Sequence, residues 1–114
     1  MTNIDACLRE VLLPYGLEIE TPIYRGTANK YITYNYTTVP ESFGDDAPER
    51  EKYLIQIHLV APLNDNIHAM VRSIKKALSE ADFSYPESCD ISSADERHIV
   101  LETEAHGEID YGTI

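Results

Sequence analysis

YITYNYTTV at residues 31–39 and EKYLIQIHLVAP at residues 51–62 decide how this chain reads. The first is β-branched or aromatic at nearly every position, a composition that crowds a helix but packs well on a pleated surface. In the second, Tyr53, Ile55, Ile57 and Leu59 fall on one side, and Leu54, Gln56, His58 and Val60 on the other. That period of two is the mark of a strand with one face in a core and the other half wet. Between the two runs lies PESFGDDAPERE, residues 40–51, with two prolines, a glycine and a concentration of acids. It predicts a solvated loop of about a dozen residues, longer than a hairpin needs.

Outward from this pair, two segments carry helical spacing. Ile4, Cys7, Leu8, Val11 and Leu12 recur as one face of a helix over residues 3–13, with Thr2 or Asn3 placed to cap it and Pro14 and Gly16 to end it. Ile67, Met70, Val71, Ile74, Ala77, Leu78 and Ala81 form a broad apolar stripe opposite Arg72, Lys75, Lys76 and Ser79, which predicts a second helix capped by Asp65 and running to Asp82. Residues 14–30 read as an irregular connection around LEI, with room for an added strand near 17–24. Phe83, Tyr85, Cys89 and Ile91 keep a two-residue phase that Pro86 interrupts, an edge or broken strand. Ile99, Leu101, Thr103 and Ala105 alternate with Val100, Glu102, Glu104 and His106 in a final strand over 97–106. The order αββαββ implies an α+β domain, residues 1–114, in which two amphipathic helices cover a four-stranded sheet whose strand order this argument does not fix.

Composition excludes several roles. At 114 residues the chain is one domain with one core. Twenty acids against nine bases give a net charge of −11, which repels a phosphate backbone and anionic lipid. Two cysteines, Cys7 and Cys89, do not make a dense disulfide framework, and MTNIDACLRE lacks a basic stretch followed by an apolar one; a cytoplasmic origin with reduced thiols is expected. No apolar run is long enough to cross a bilayer as a helix, so no membrane partner is expected.

Catalytic motifs are not found. His58, His68, His98 and His106 stand at none of the short offsets from one another or from cysteine that typify zinc sites. His58, inside an apolar strand, reads as a partly buried, hydrogen-bonded side chain, and Cys7 as a packed one. GxSxG, GxGxxG and GxxxxGK[ST] do not occur, and the acids from Asp45 to Glu51 do not have calcium-loop spacing. Glu102, Glu104 and His106 share a strand face, the one arrangement from which a metal-dependent hydrolase could be built, though a solvated face accounts for the same residues. No cofactor or metal is expected, and no enzymatic activity.

Tyrosine is the unusual feature, eight residues with no tryptophan. Tyr31, Tyr34, Tyr36 and Tyr53 concentrate on the first strand pair, where their spacing puts rings on both faces. A large rigid contact with a polar tip suits a protein interface, so these four are expected to serve subunit contacts, the alternative being that the rings pack beneath the two helices.

With YITYNYTTVPESFGDDAPEREKYLIQIHLVAP, then IHAMVRSIKKALSEADFSY and the late strand HIVLETEAH, the sequence over about residues 28–108 resembles the tail-terminator, or tail-completion, proteins of long-tailed phages and prophages. The resemblance implies a structural protein of the virion, made in the host cytoplasm. It implies a ring, often hexameric, that ends the tail tube and docks to the head connector, with no catalytic residues. Under that reading the partners are copies of itself, the tail tube protein and the head connector protein, while DNA passes through the lumen without specific binding. The segment Glu41, Phe43, Asp45, Asp46, Glu49 and Arg50 is then expected to meet tube or connector. An acidic DNA-mimic inhibitor is the alternative, since ten acids against one base lie between Glu80 and Asp110.

Overall fold

The computed structural model describes residues 3–43 and 48–108, with side chains over 3–41 and 50–107. Its elements are α1 (Ile4–Leu12), a 3-10 turn (Leu13–Tyr15), β1 (Glu18–Glu20), β2 (Tyr31–Phe43), β3 (Pro48–Pro62), α2 (His68–Glu80), β4 (Glu87–Asp90) and β5 (Glu96–Glu108). The class is α+β, with both helices on one side of a mixed sheet of order β1-β2-β3-β5-β4. β1 runs parallel to β2, and every other neighbouring pair is antiparallel. The chain from β3 through α2 to β4 leaves a gap that β5 fills, which places β3 and β5 side by side at the centre.

Register then sorts the side chains. Ile32, Leu59 and Ile99 form one row across β2, β3 and β5; Tyr34, Ile57 and Leu101 form the next. All six are buried. The helices close this face. α1 buries Ile4, Leu8 and Leu12, with Cys7 and Val11 packed at the flank of its stripe. Its first free amides are satisfied as the sequence predicts, the Ala6 N–H donating to Asn3 Oδ1 at 3.0 Å. Gly16, with φ +72°, turns the chain out of the 3-10 segment that contains Pro14. α2 buries Val71, Ile74 and Leu78, and it is tied to the first turn by a 2.7 Å hydrogen bond between Tyr15 Oη and Ser73 Oγ.

Four expectations are corrected. The sheet has five strands, not four, because Glu18–Glu20 pairs with Tyr31–Thr33. Residues 40–43 and 48–51 are strand rather than loop: β2 continues to Phe43 and β3 begins at Pro48. The prolines are tolerated because Pro48 is the first residue of its strand and Pro40 lies where β2 has no described neighbour on its outer side. The charge of Glu41 is tolerated because it registers with Arg50. Finally, Asp65 does not cap α2. Its carboxylate pairs with Lys30 Nζ at 2.9 Å, and the helix starts at His68, whose N–H donates to Asn66 Oδ1 at 3.2 Å. The strand after Phe83 is also shorter than its two-residue phase suggests, covering only Glu87–Asp90 beyond Pro86.

α1 is fastened to the sheet by a polar clamp. Asp5 accepts from Tyr34 Oη at 2.7 Å through Oδ1 and from Tyr36 Oη at 3.1 Å through Oδ2. Tyr34 is fully buried, and burial together with the Asp5 bond pushes its hydroxyl pKa up to about 12. Removing the acceptor strands that hydroxyl. Asp5→Ala is expected to lower unfolding free energy in urea titration by about 1–3 kcal/mol, with Asp5→Asn, which keeps an acceptor, losing less. An unchanged midpoint in Asp5→Ala would show the clamp to be energetically idle.

Candidate functional site

The face of the sheet away from the helices is where function has room. Its rows are set by the same register: Thr33, His58, Val100 and Cys89; Asn35, Gln56, Glu102 and Glu87; Thr37, Leu54 and Glu104; Val39, Lys52 and His106. The first row is largely closed, with Thr33 and Val100 buried. The next two are open.

Over those open rows lies a groove of about 640 Å³, lined by Asn35, Thr37, Leu54, Gln56, Glu102 and Glu104 on the sheet and by Ser84, Tyr85 and Glu87 at its side. The side wall is firmly held. The Ser84 N–H donates to Glu104 O at 2.8 Å, the Glu104 N–H donates to Ser84 Oγ at 2.8 Å, and Thr103 Oγ1 donates to Ser84 O at 2.6 Å. Tyr85, 64% exposed, stands at the rim, and Leu54 is a partly exposed apolar spot on the floor. Glu87 registers directly with Glu102, a like-charge pair that costs stability wherever it stands. Among the described residues the ion pairs are Lys30–Asp65, Lys76–Glu80 and His106–Glu41, so none of them engages Glu87, Glu102 or Glu104.

Beside the groove, His58 Nδ1 and His98 Nε2 are 2.8 Å apart. One ring must donate and the other accept, so the pair accommodates at most one extra proton. Burial, and secondarily the nearby His98, hold the His58 pKa below its usual 6.5. His58 is thus the half-buried, hydrogen-bonded residue that its strand position predicts.

The structure separates the four expected interface tyrosines. Tyr34 and Tyr53 are buried within the protomer, Tyr53 donating to Glu51 Oε1 at 2.9 Å. Tyr36 is half-buried beside them, its ring edge-on to Tyr53 at 5.7 Å, and its hydroxyl is spent on Asp5. These rings serve the chain's own core, a correction to the expectation that they face a neighbour. Tyr31 alone of the four lies on the outer face, stacked at 3.8 Å on Tyr24, whose hydroxyl donates to Glu18 Oε2 and accepts from the Ala28 N–H. Of the expected contact segment, Glu41 sits on β2 with Oε1 2.6 Å from His106 Nδ1, a bond that holds its carboxyl pKa below the usual range. Arg50 is exposed on β3. Asp45 and Asp46, and the side chains of Phe43 and Glu49, lie outside the described residues.

Glu102, Glu104 and His106 do share a face, but His106 is turned toward Glu41. Among the described residues no group of three or more histidine, cysteine or acidic side chains is arranged to hold a metal. No described helix is long and apolar enough to cross a membrane. The sequence reading missed Asp5 and Glu87. Asp5 follows directly on an apolar stripe position, a faint signal; Glu87 acquires meaning only from strand register.

No family model matches the chain, and no curated protein does. A solved structure of a protein designated only by a sequence identifier superposes with a TM-score of 0.58, covering 96% of this chain and 96% of its own at 11% identity. At that identity the likeness shows a shared fold alone.

Because the folded state holds His58 below 6.5, the unfolded chain binds more protons as the medium acidifies. The contribution is fully present above pH 6.5 and is lost as pH falls through the folded value. The melting temperature of the wild type is expected to drop between about pH 7 and pH 5 more steeply than that of His58→Gln. Parallel profiles would remove His58 as the titrating group.

Proposed function

We propose that this chain is a structural subunit of a phage tail, a terminator that closes into a ring at the end of the tail tube and meets the head connector, with no bond made or broken. The family resemblance over residues 28–108 suggests it. The observation that carries it is the open rows on the outer face of β2, β3 and β5, strands of thirteen to fifteen residues whose helices occupy the opposite side. A domain with helices on one face and open strand rows on the other has two unlike surfaces to present to its neighbours. Such surfaces meet head to tail, and when the rotation between copies closes, the product is a ring. Hexamers fit the family pattern. The strong negative charge of each copy suits a lumen through which DNA slides without adhering.

The acid row Glu87, Glu102 and Glu104 favours one second reading, a DNA-mimic inhibitor that occupies a nucleic-acid-binding partner. Competition with duplex DNA for such a partner discriminates the two.

Light scattering on the purified protein over a hundredfold concentration range, repeated with isolated tail tubes, tests the terminator reading. A particle of several protomers, six being the expected number, that co-sediments with tubes supports it. A single-protomer mass throughout, with no retention on tubes, would end it.

A further inference from the structure

The groove over β3 and β5 is acidic, and the only cationic helix face of the described chain lies across the molecule from it. Arg72 and Lys76 stand four residues apart on the exposed side of α2, both exposed. Lys75 is tied down, donating to Ser88 Oγ at 2.8 Å. Lys76 reaches Glu80 only at 3.9 Å, and both side chains are largely in solvent, a pair of little energetic weight. On the opposite side of the sheet Glu102 and Glu104 project together from β5, with Glu87 beside Glu102.

We propose that the groove takes the α2 face of a second copy of this chain, Arg72 and Lys76 of one protomer entering between Glu87, Glu102 and Glu104 of the next. The inference rests on the ring reading above and names its contact. Spacing agrees: residues four apart on a helix face are about 6 Å apart, and alternate residues on a strand face about 7 Å. Charge agrees as well, since none of the described ion pairs engages these acids, although Lys52 stands one row beyond Glu104 on the same face, and an external cation would relieve the like-charge pair Glu87–Glu102. Tyr85 at the rim and Leu54 on the floor give the aliphatic stems and the guanidinium an apolar and aromatic surface. Donor helix and acceptor groove lie on opposite sides of one sheet, so each copy offers one and uses the other. That relation is heterologous, the kind that propagates around a ring.

Charge exchange tests the contact. Glu102→Lys/Glu104→Lys and Arg72→Glu/Lys76→Glu are each expected to weaken self-association about tenfold or more, measured by sedimentation velocity at low salt. The two variants mixed should assemble with each other, because the reversed groove of one meets the reversed helix of the other. Glu102→Gln/Glu104→Gln, which keeps side-chain shape, should also weaken association, and circular dichroism melts confirm that each variant is folded. Added salt should weaken the wild-type assembly and leave the glutamine variant nearly unaffected. If the wild type assembles and groove reversal changes nothing, the contact is wrong while the ring stands. If reversal spares self-association but abolishes retention on tail tubes, the groove belongs to a different partner and occupancy by a second copy is overturned. A wild type that stays single at every concentration overturns both readings.

Discussion

The position of β3 between β2 and β5 governs the rest of the molecule. Its alternation puts Tyr53, Ile55, Ile57, Leu59 and Ala61 on one side, and two antiparallel registers copy that division onto Ile32 and Tyr34 in one neighbour and Ile99 and Leu101 in the other. Because side chains repeat every second residue, a slip of one position in either pairing would expose this entire set and bury Gln56, Lys52 and Glu102 in its place. The hydrophobic penalty for that exchange is large. Register is consequently fixed chiefly by burial on the helix side, with Thr33, Val60 and Val100 adding buried positions on the other, and the open rows inherit an order that their own residues do little to enforce.

That inheritance explains how unfavourable neighbours persist on the outer face. Glu87 and Glu102 are held abreast because Ser88, Cys89 and Asp90 pair with Leu101, Val100 and Ile99, and because Ser84 is hydrogen-bonded to Thr103 and Glu104 of β5. The helix-side core supplies the stability that an acid pair on the other side gives back. The electrostatics of the chain are thus polarised across the sheet, with a cationic helix on one side and an acidic floor on the other. A uniformly acidic composition conceals this arrangement.

Much of the architecture was legible in the residues. Both helices and both central strands follow from spacing, and the division of β3 and β5 into buried and open faces follows from alternation alone. Pro40 and Glu41 misled because prolines and charges are markers of loops only where a strand has neighbours on both sides; here β2 runs on with one described partner, and Arg50 meets Glu41 from across the ladder. β1 was hard to see because three residues carry no period. The tyrosines were ambiguous for a different reason. A ring with a hydroxyl suits an interface, yet the same hydroxyl is content inside when an acceptor waits for it, and Asp5, thirty residues earlier in the chain, gives no sign of that role in its local sequence. The groove was illegible until β4 was placed, since Glu87 and Glu102 are distant in sequence and adjacent only through register.

The central pairing also has a consequence for synthesis. Leu59 is completed by Ile99, and Leu54 registers with Glu104, so β3 leaves the ribosome well before the strand that shields its second edge. In that interval the run Leu54–Val60 is an apolar, β-prone segment with one open edge and only His58 and Gln56 to interrupt it, the composition that seeds misassociation between nascent chains. α2 follows β3 immediately and can settle on its apolar side while β5 is still being made. The helix therefore acts early as a temporary guard for the face, but the open edge stays vulnerable until the last strand arrives, and yield in rapid expression should be limited there.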